Sequence, residues 1–412
     1  MYIPERQISH NHQPSTTLQR QIISNGIKRK AKEDICERPS KLINREIEKV
    51  YPTSINSLDV QDYNNIRRCI YTERRNVLLT NTPKNVNEVH AIISKLVIET
   101  SLKENFVLDN NSLTNIIIFS CNTNITFLAK CDTIFLDGTF NYATKYFCQF
   151  FTIHGVQNGH YIPLVFSLLP NKHYSSYLYI LNFLTNHCQN LGIMFKPTNV
   201  VIDFEESIHK AVREAWSDEI SIIGCRFHLA QAWMRKVKQL GLTTIYKDKD
   251  SEIGQFLHHL FGLTFLEPHY VGDCFAFDFE HASFNNTRVT EFLDYIVDNY
   301  IDSNSKFPPE IWASASASTQ RTTNCCESFH AKWNQSFYSS HPNICQFIQI
   351  LKEFQTHTYI KMNSCHLPVK IHNKSHKVRV EFLKEAVNNY KAGKLTRFNY
   401  VKAVSYHYSF LL

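Results

Sequence analysis

Two carboxylates stand where apolar strands end. In TIFLDGTFNY, residues 133 to 142, Ile134, Phe135 and Leu136 read as a strand entering a core, Phe140 and Tyr142 continue it, and Asp137 sits between them. Burying an unpaired charge costs several kcal/mol or drives the group toward its neutral form, so an acid here needs a partner. Asp203 repeats the pattern at the end of NVVID, at a carboxyl-terminal strand edge of the kind where open α/β sheets bind ligands. Two carboxylates held close repel unless a proton or a cation intervenes. Oxygen-only ligation favours a hard ion such as Mg²⁺ or Mn²⁺ over zinc. A local reading stays open on spacing alone: Asp137 opens a turn through Asp-Gly-Thr, and Asp203 caps a helix starting at Glu205.

The elements that would position these acids are strands followed by alternating helices and strands. NIIIFS (115–120), TIFLDGTFNY (133–142), YFCQFFTIHGV (146–156) and YIPLVFSLLP (161–170) are rich in β-branched and aromatic residues, and short polar turns separate them. Three in quick succession predict an antiparallel meander. Then come a helix over 175–192, a strand over 198–204, an amphipathic helix over 205–216, a strand over 220–227 and a helix over 228–241. That order predicts a mixed sheet with helices on both faces. If the first strand of the meander is central and the next parallel strand lies beside it, Asp137 and Asp203 become neighbours. Upstream, residues 57–75 and 85–102 read as helices, with Val89, Ile92, Ile93, Leu96 and Val97 on one buried face of the second. Residues 242 to about 320 read as mostly helical, broken at FLEPHY and KFPPEIW.

An apolar fraction of 43% over 412 residues suffices for a large core. No apolar run approaches the roughly 20 residues of a membrane span, and the polar start after Met1 lacks the core of a signal peptide. We therefore expect a protein of the cytoplasm or nucleus with no membrane partner. The 12 cysteines are irregularly spaced and form no Cys-x-x-Cys pair, which suits reduced thiols. The net charge of +7 divides into +5 over residues 1–100, −7 over 101–331 and +9 over 332–412. Basic flanks around an acidic centre suit a protein that grips a polyanion while its centre gathers carboxylates, although solvated surface explains the same pattern. The cluster KRKAK (28–32) fits a nuclear localisation signal or a solvated face.

Taken together, DGTF (137–140), HYIPLVFSLLPNKHYSSY (160–177), VVIDFEESIHKAV (200–212) and CRFHLAQ (225–231) resemble the transposase domain of Mutator-like elements, the MULE family. The resemblance spans roughly residues 40 to 400 and is strongest from 131 to 245. It implies a ribonuclease-H-like mixed sheet with a helical insertion and helical amino- and carboxyl-terminal flanks. It also implies a catalytic triad of two aspartates and a glutamate holding two Mg²⁺ (or Mn²⁺) ions for DNA strand cleavage and transfer. The aspartates match Asp137 and Asp203. The glutamate matches Glu327 in RTTNCCESFHAKWN (321–334), preferred over Glu310 and Glu291; Asn324 and Glu327 are also spaced as a helix capping box. Gly138, Phe140, Glu205, Cys225 and His228 complete the family signature. Cys225 and His228 are two ligands where a closed zinc site needs four, so zinc is not expected in this chain.

The resemblance divides the chain into a polar basic tail (1–35), a helical basic region (36–112), the catalytic core (113–241), the insertion (242–320), the last catalytic helix (321–335) and a basic helical region (336–412). His10 and His12 in ISHNHQP resemble the closing histidines of a FLYWCH-type zinc finger. No cysteine precedes them, so this would be a truncated remnant unable to hold zinc. The implied partners are DNA, both element ends and target, and further copies of the chain assembled on it, in the nucleus. A non-catalytic DNA-binding regulator derived from such a transposase, or a non-transposing nuclease, would use the same fold.

Overall fold

The computed structural model describes residues 16–50, 59–77, 83–217, 220–279, 285–316, 318, 321–369 and 374–406. His10 and His12 lie outside the described residues. The described part is a mixed α/β fold built on one seven-stranded sheet. No helix among the described residues is long and apolar enough to cross a membrane.

Three helices, α1 (Thr16–Glu33), α2 (Pro39–Val50) and α3 (Val60–Val77), come first, around a small core of Ile27, Leu42, Ile43, Ile66 and Ile70. The basic cluster lies on α1, where Lys30 pairs with Glu46 at 2.5 Å and Lys32 with Glu73 at 3.1 Å. Next is α4 (Val86–Lys95), shorter than its periodicity predicts. Its C-cap Leu96 turns extended and Val97 is 84% exposed, so the expected apolar face stops at Ile93.

The strands are β1 (Val107–Asn111), β2 (Ile116–Phe119), β3 (Thr133–Thr139), β4 (Gln149–Gln157), β5 (His160–Leu169), β6 (Asn199–Ile202) and β7 (Ser221–Gly224). Their order across the sheet is β1-β2-β5-β4-β3-β6-β7. β3, β4 and β5 form the predicted antiparallel meander, and β6 pairs parallel to β3, with Phe135 opposite Val201. Two residues further along each strand, Asp137 and Asp203 share one edge and, by the period of two, one face. β1 is not anticipated in the sequence: Val-Leu-Asp-Asn-Asn is polar and only partly buried, as suits an edge strand.

One face of the sheet is covered by α5 (Asn122–Leu128), α6 (Tyr174–Asn190), α7 (Glu206–Trp216) and α8 (Arg226–Gln239). Ile134, Leu136, Phe151 and Ile153 of the strands meet Ile180, Leu184, Ala211 and Val212 of the helices there. The following helices, α9 (Thr243–Lys247), α10 (Glu252–Leu260), α11 (Pro268–Asp273), α12 (Thr287–Ile296) and α13 (Pro309–Trp312), extend the same core. The opposite face is covered by α4, α14 (Asn324–Gln335) and α15 (Ile344–Asn363), which pack on Ile117, Phe119, Phe150, Phe166 and Leu168. The chain then runs through α16 (Lys374–Lys391) and α17 (Arg397–Ser405), and Tyr400 and Val401 return to the first core.

On α14, Trp333 is fully buried, with its ring 4.5 Å from that of Phe150 and 4.9 Å from that of Phe347. Full burial of a side chain this size stabilises by about 2 to 3 kcal/mol. That contact fixes the helix against β4 and so fixes whatever α14 presents at its first turn.

Candidate active site

Four elements converge at the edge where β3 and β6 end. Asp137 comes from β3, Asp203 from the residue after β6, His228 from the first turn of α8 and Glu327 from the first turn of α14. All four line one pocket of about 670 Å³, together with Gly138, Phe140, Gln149, Lys172, Glu205, Arg235 and His330.

Asp137 is 7% exposed. Its Oδ1 accepts the Gly138 N–H at 2.8 Å, while Oδ2 is buried with no hydrogen-bond donor. His330 Nδ1 stands 3.4 Å from Oδ2, close enough for an ion pair but not aligned as a hydrogen bond. A carboxylate oxygen buried without a donor is costly, so its surroundings suit an added cation.

Among the described residues, Asp137, His228 and Glu327 each offer a ligand atom within 4.8 Å of the other two. His228 Nε2 lies 3.1 Å from Glu327 Oε1. Burial works against the imidazolium, but bonds to Cys225 and Glu327 and the nearby charge of Asp137 overcome it and push the His228 pKa up to about 11.

Asp203 borders the same pocket outside that tight group. Its Oδ1 accepts the Glu205 N–H at 3.3 Å, and its carbonyl faces His209 Nε2 at 2.7 Å. Burial, then the charges of Glu205 and Asp137, push its carboxyl up to about 6, with His228 and Lys172 pulling the other way. The loop after β6 is held by Phe204, whose ring meets Phe307 at 5.2 Å. A side chain at Gly224 would strike that ring, with its Cβ 2.6 Å from Phe204 Cζ. Glu205 sits at the helix start, 3.3 Å from Lys172 Nζ, and Lys172 lies 3.9 Å from the centre of the Phe140 ring. The pair leaves an aromatic ring, 40% exposed, and an ammonium group at the pocket mouth.

The local alternatives fare differently from their sequence reading. Thr323, not Asn324, is the N-cap of α14, and it makes no side-chain cap bond. The capping box therefore does not form, and the Glu327 carboxylate reaches His228 instead. The N-cap of α7 is Glu205, so Asp203 does not cap that helix. Glu291 on α12 and Glu310 on α13 are exposed and do not line the pocket.

Cys225 is the N-cap residue of α8 and is fully buried. Its Sγ accepts the Thr323 N–H at 3.1 Å and lies 3.2 Å from Thr323 Oγ1, which in turn is 3.3 Å from His228 Nδ1. The Cys-x-x-His spacing thus ties the start of α8 to the start of α14.

Sequence reasoning missed His330, Thr152 and His154. Thr152 Oγ1 lies 3.1 Å from His330 Nε2, 3.0 Å from His154 Nε2 and 3.3 Å from the Asp137 carbonyl. Burial holds the His154 pKa well below the usual range, so that ring is neutral. One signal for His330 was available: Glu327 and His330 are three residues apart and so share a helix face.

No curated protein matches the chain. Residues 133–232, which include Asp137, Asp203, Glu205, Cys225 and His228 but stop short of Glu327, match the MULE transposase domain, and this similarity points to a transposase-related function.

Proposed function

We propose that this chain is a DNA transposase of the MULE type, with a ribonuclease-H-like core, that cuts and rejoins DNA strands at a divalent-cation site held by Asp137, Asp203 and Glu327. The observation that carries the proposal is Asp137, inside the stretch that resembles the domain, with a buried Oδ2 that has no hydrogen-bond donor and a carboxylate within 4.8 Å of that of Glu327. A meander followed by two parallel strands on the far side of β3 is the strand order such a core requires, and β5-β4-β3-β6-β7 has it.

Mg²⁺ or Mn²⁺ bound there would act as a Lewis acid, polarising a phosphate and lowering the pKa of an attacking hydroxyl. The protein side of the chemistry is positioning. The Gly138 N–H and the sheet orient Asp137, the β6 end orients Asp203, and α14 delivers Glu327 to the same pocket. Lys172 and Arg235 at the pocket supply cations for phosphate oxygens, and the Phe140 ring offers a face for a base. In this reading the substrate is DNA, engaged in the nucleus by more than one copy of the chain.

The experiment is Mn²⁺-dependent nicking and strand transfer on duplex DNA by the full chain. Asp137→Asn and Glu327→Gln should each lose activity by about 100-fold or more, in line with the loss of a charge-stabilising group, while DNA binding persists. Equal activity in either variant would overturn the proposal.

A further inference from the structure

We infer that His228 Nε2 is a nitrogen ligand of the bound cation, so that the site is a mixed imidazole and carboxylate centre rather than an oxygen-only one. The inference rests on the cation reading above and adds the identity of one ligand and the class of ion preferred.

Three observations carry it. First, among the described residues the group whose ligand atoms come together is Asp137, His228 and Glu327, within 4.8 Å of one another; Asp203 is not in it. Second, Asp137, only 7% exposed, brings a carboxylate oxygen into this group, and its Oδ2 has no hydrogen-bond donor. Third, the far side of the imidazole is supported. His228 Nδ1 is 3.3 Å from Thr323 Oγ1, which is 3.2 Å from Cys225 Sγ, and both Thr323 and Cys225 are fully buried.

Nε2–H donates to Glu327 Oε1, and a cation bound at this atom takes the place of that proton. With a cation on Nε2, Nδ1–H is left to donate to the Thr323 hydroxyl, and the hydroxyl can donate in turn to the Cys225 sulfur. A metal-binding histidine is commonly oriented in this way through its other ring nitrogen. Cys225 thereby has a positioning role and is not itself a ligand, since its sulfur is absent from the tight group. Imidazole with two carboxylates suits Mn²⁺, Co²⁺ or Zn²⁺ better than Mg²⁺, which prefers oxygen and keeps much of its water.

The test is Mn²⁺ binding to the full chain, read by electron paramagnetic resonance, with pulsed spectra searched for ¹⁴N coupling to the bound ion. The wild type should bind Mn²⁺ more tightly than Mg²⁺ and show ¹⁴N coupling. His228→Gln should lose the coupling and bind about 10-fold more weakly or worse, whereas His330→Gln should keep it. Cys225→Ala should keep the coupling and weaken binding by about 10-fold, the scale of an outer-shell loss. Bound Mn²⁺ that is sensitive to Asp137→Asn but shows no ¹⁴N coupling, or coupling that survives His228→Gln, overturns this inference and leaves the oxygen-only cation site standing. If His228→Gln fails to fold, the wild-type and His330→Gln spectra still decide: coupling absent from either overturns the inference. An intact, folded chain that binds no Mn²⁺ overturns both readings.

Discussion

Gly138 and Gln149 occupy one space: a Cβ on Gly138 would collide with the Gln149 amide nitrogen and lie 2.7 Å from its Cδ. Gln149 is buried and takes the Tyr177 O–H at 3.0 Å, and Tyr177 reaches Glu205 at 3.4 Å. The glycine after Asp137 therefore lets β4 and α6 close over the pocket wall. Gly138→Ala should destabilise by about 1 to 3 kcal/mol through overpacking. Adding Gln149→Ala should recover part of that loss, measured as a shift in urea midpoint; a double variant as unstable as the sum of the singles would refute the shared-space account.

Trp333 holds α14, and with it Glu327 and His330, against Phe150 and Phe347. Trp333→Ala should cost about 3 to 5 kcal/mol. Trp333→Phe should cost less and should lower Mn²⁺ affinity only as far as it loosens the helix. Midpoints and affinities that move independently across Ala, Leu and Phe at this position would show that α14 is held elsewhere.

Asn124 and Gln355 exchange two hydrogen bonds of 2.8 Å with both side chains fully buried, joining α5 to α15. Gln355→Leu strands Asn124 Oδ1, while Nδ2 keeps the Leu164 carbonyl at 2.9 Å, and should cost about 1 to 3 kcal/mol. Asn124→Leu with Gln355→Leu should cost less than the two singles together, because no orphan remains.

Acid should destabilise the fold through its buried imidazoles. Burial holds His154 well below, and His209 and His259 at about 4, against 6.5 for a free imidazole. With folded pKa values depressed, their contribution is fully present above about pH 6.5 and is lost as pH falls toward 4, at up to about 1.4 kcal/mol per pH unit for each ring. Asp203, raised to about 6 from 3.8, has the opposite sign: its contribution is present at low pH and is lost as pH rises through 6. Asp203→Asn should therefore steepen the loss of stability between pH 6.5 and 4. Urea melts at pH 7.5, 6 and 4.5 read this directly, and a flat profile in the wild type would contradict the neutral buried rings.

The strands from β3 to β7 and the helices between them were legible because each is a short run of uniform character. β-branched and aromatic stretches alternate with segments of helical period, and the observed bounds differ from the reading by a few residues. β1 was not, since an edge strand of Val-Leu-Asp-Asn-Asn has the composition of a loop and gains its structure from pairing with β2. Leu96 and Val97 carried the helical period past Lys95, but the chain turned extended to bring Phe106 into the second core. In the site, Asp137 and Asp203 stood out as acids closing apolar strands. Glu327 came from resemblance, and its helix start was misread because Asn and Glu at that spacing mimic a capping box. His330 and Thr152 meet across 178 residues of sequence, a contact that only packing can create.

The pocket lies where two separate hydrophobic cores meet. His228 rides on α8, whose Leu229 and Trp233 belong to the core beneath α6 and α7; Glu327 rides on α14, whose Phe329 and Trp333 belong to the core on the other face of the sheet. Neither layer alone contains a complete set of the acidic and imidazole groups. Partial unfolding that frees either layer dismantles the centre while leaving much of the secondary structure intact. Cation affinity is therefore a more sensitive gauge of whole-fold integrity than circular dichroism, and a truncation that spares every site residue but removes α15 should still abolish the site.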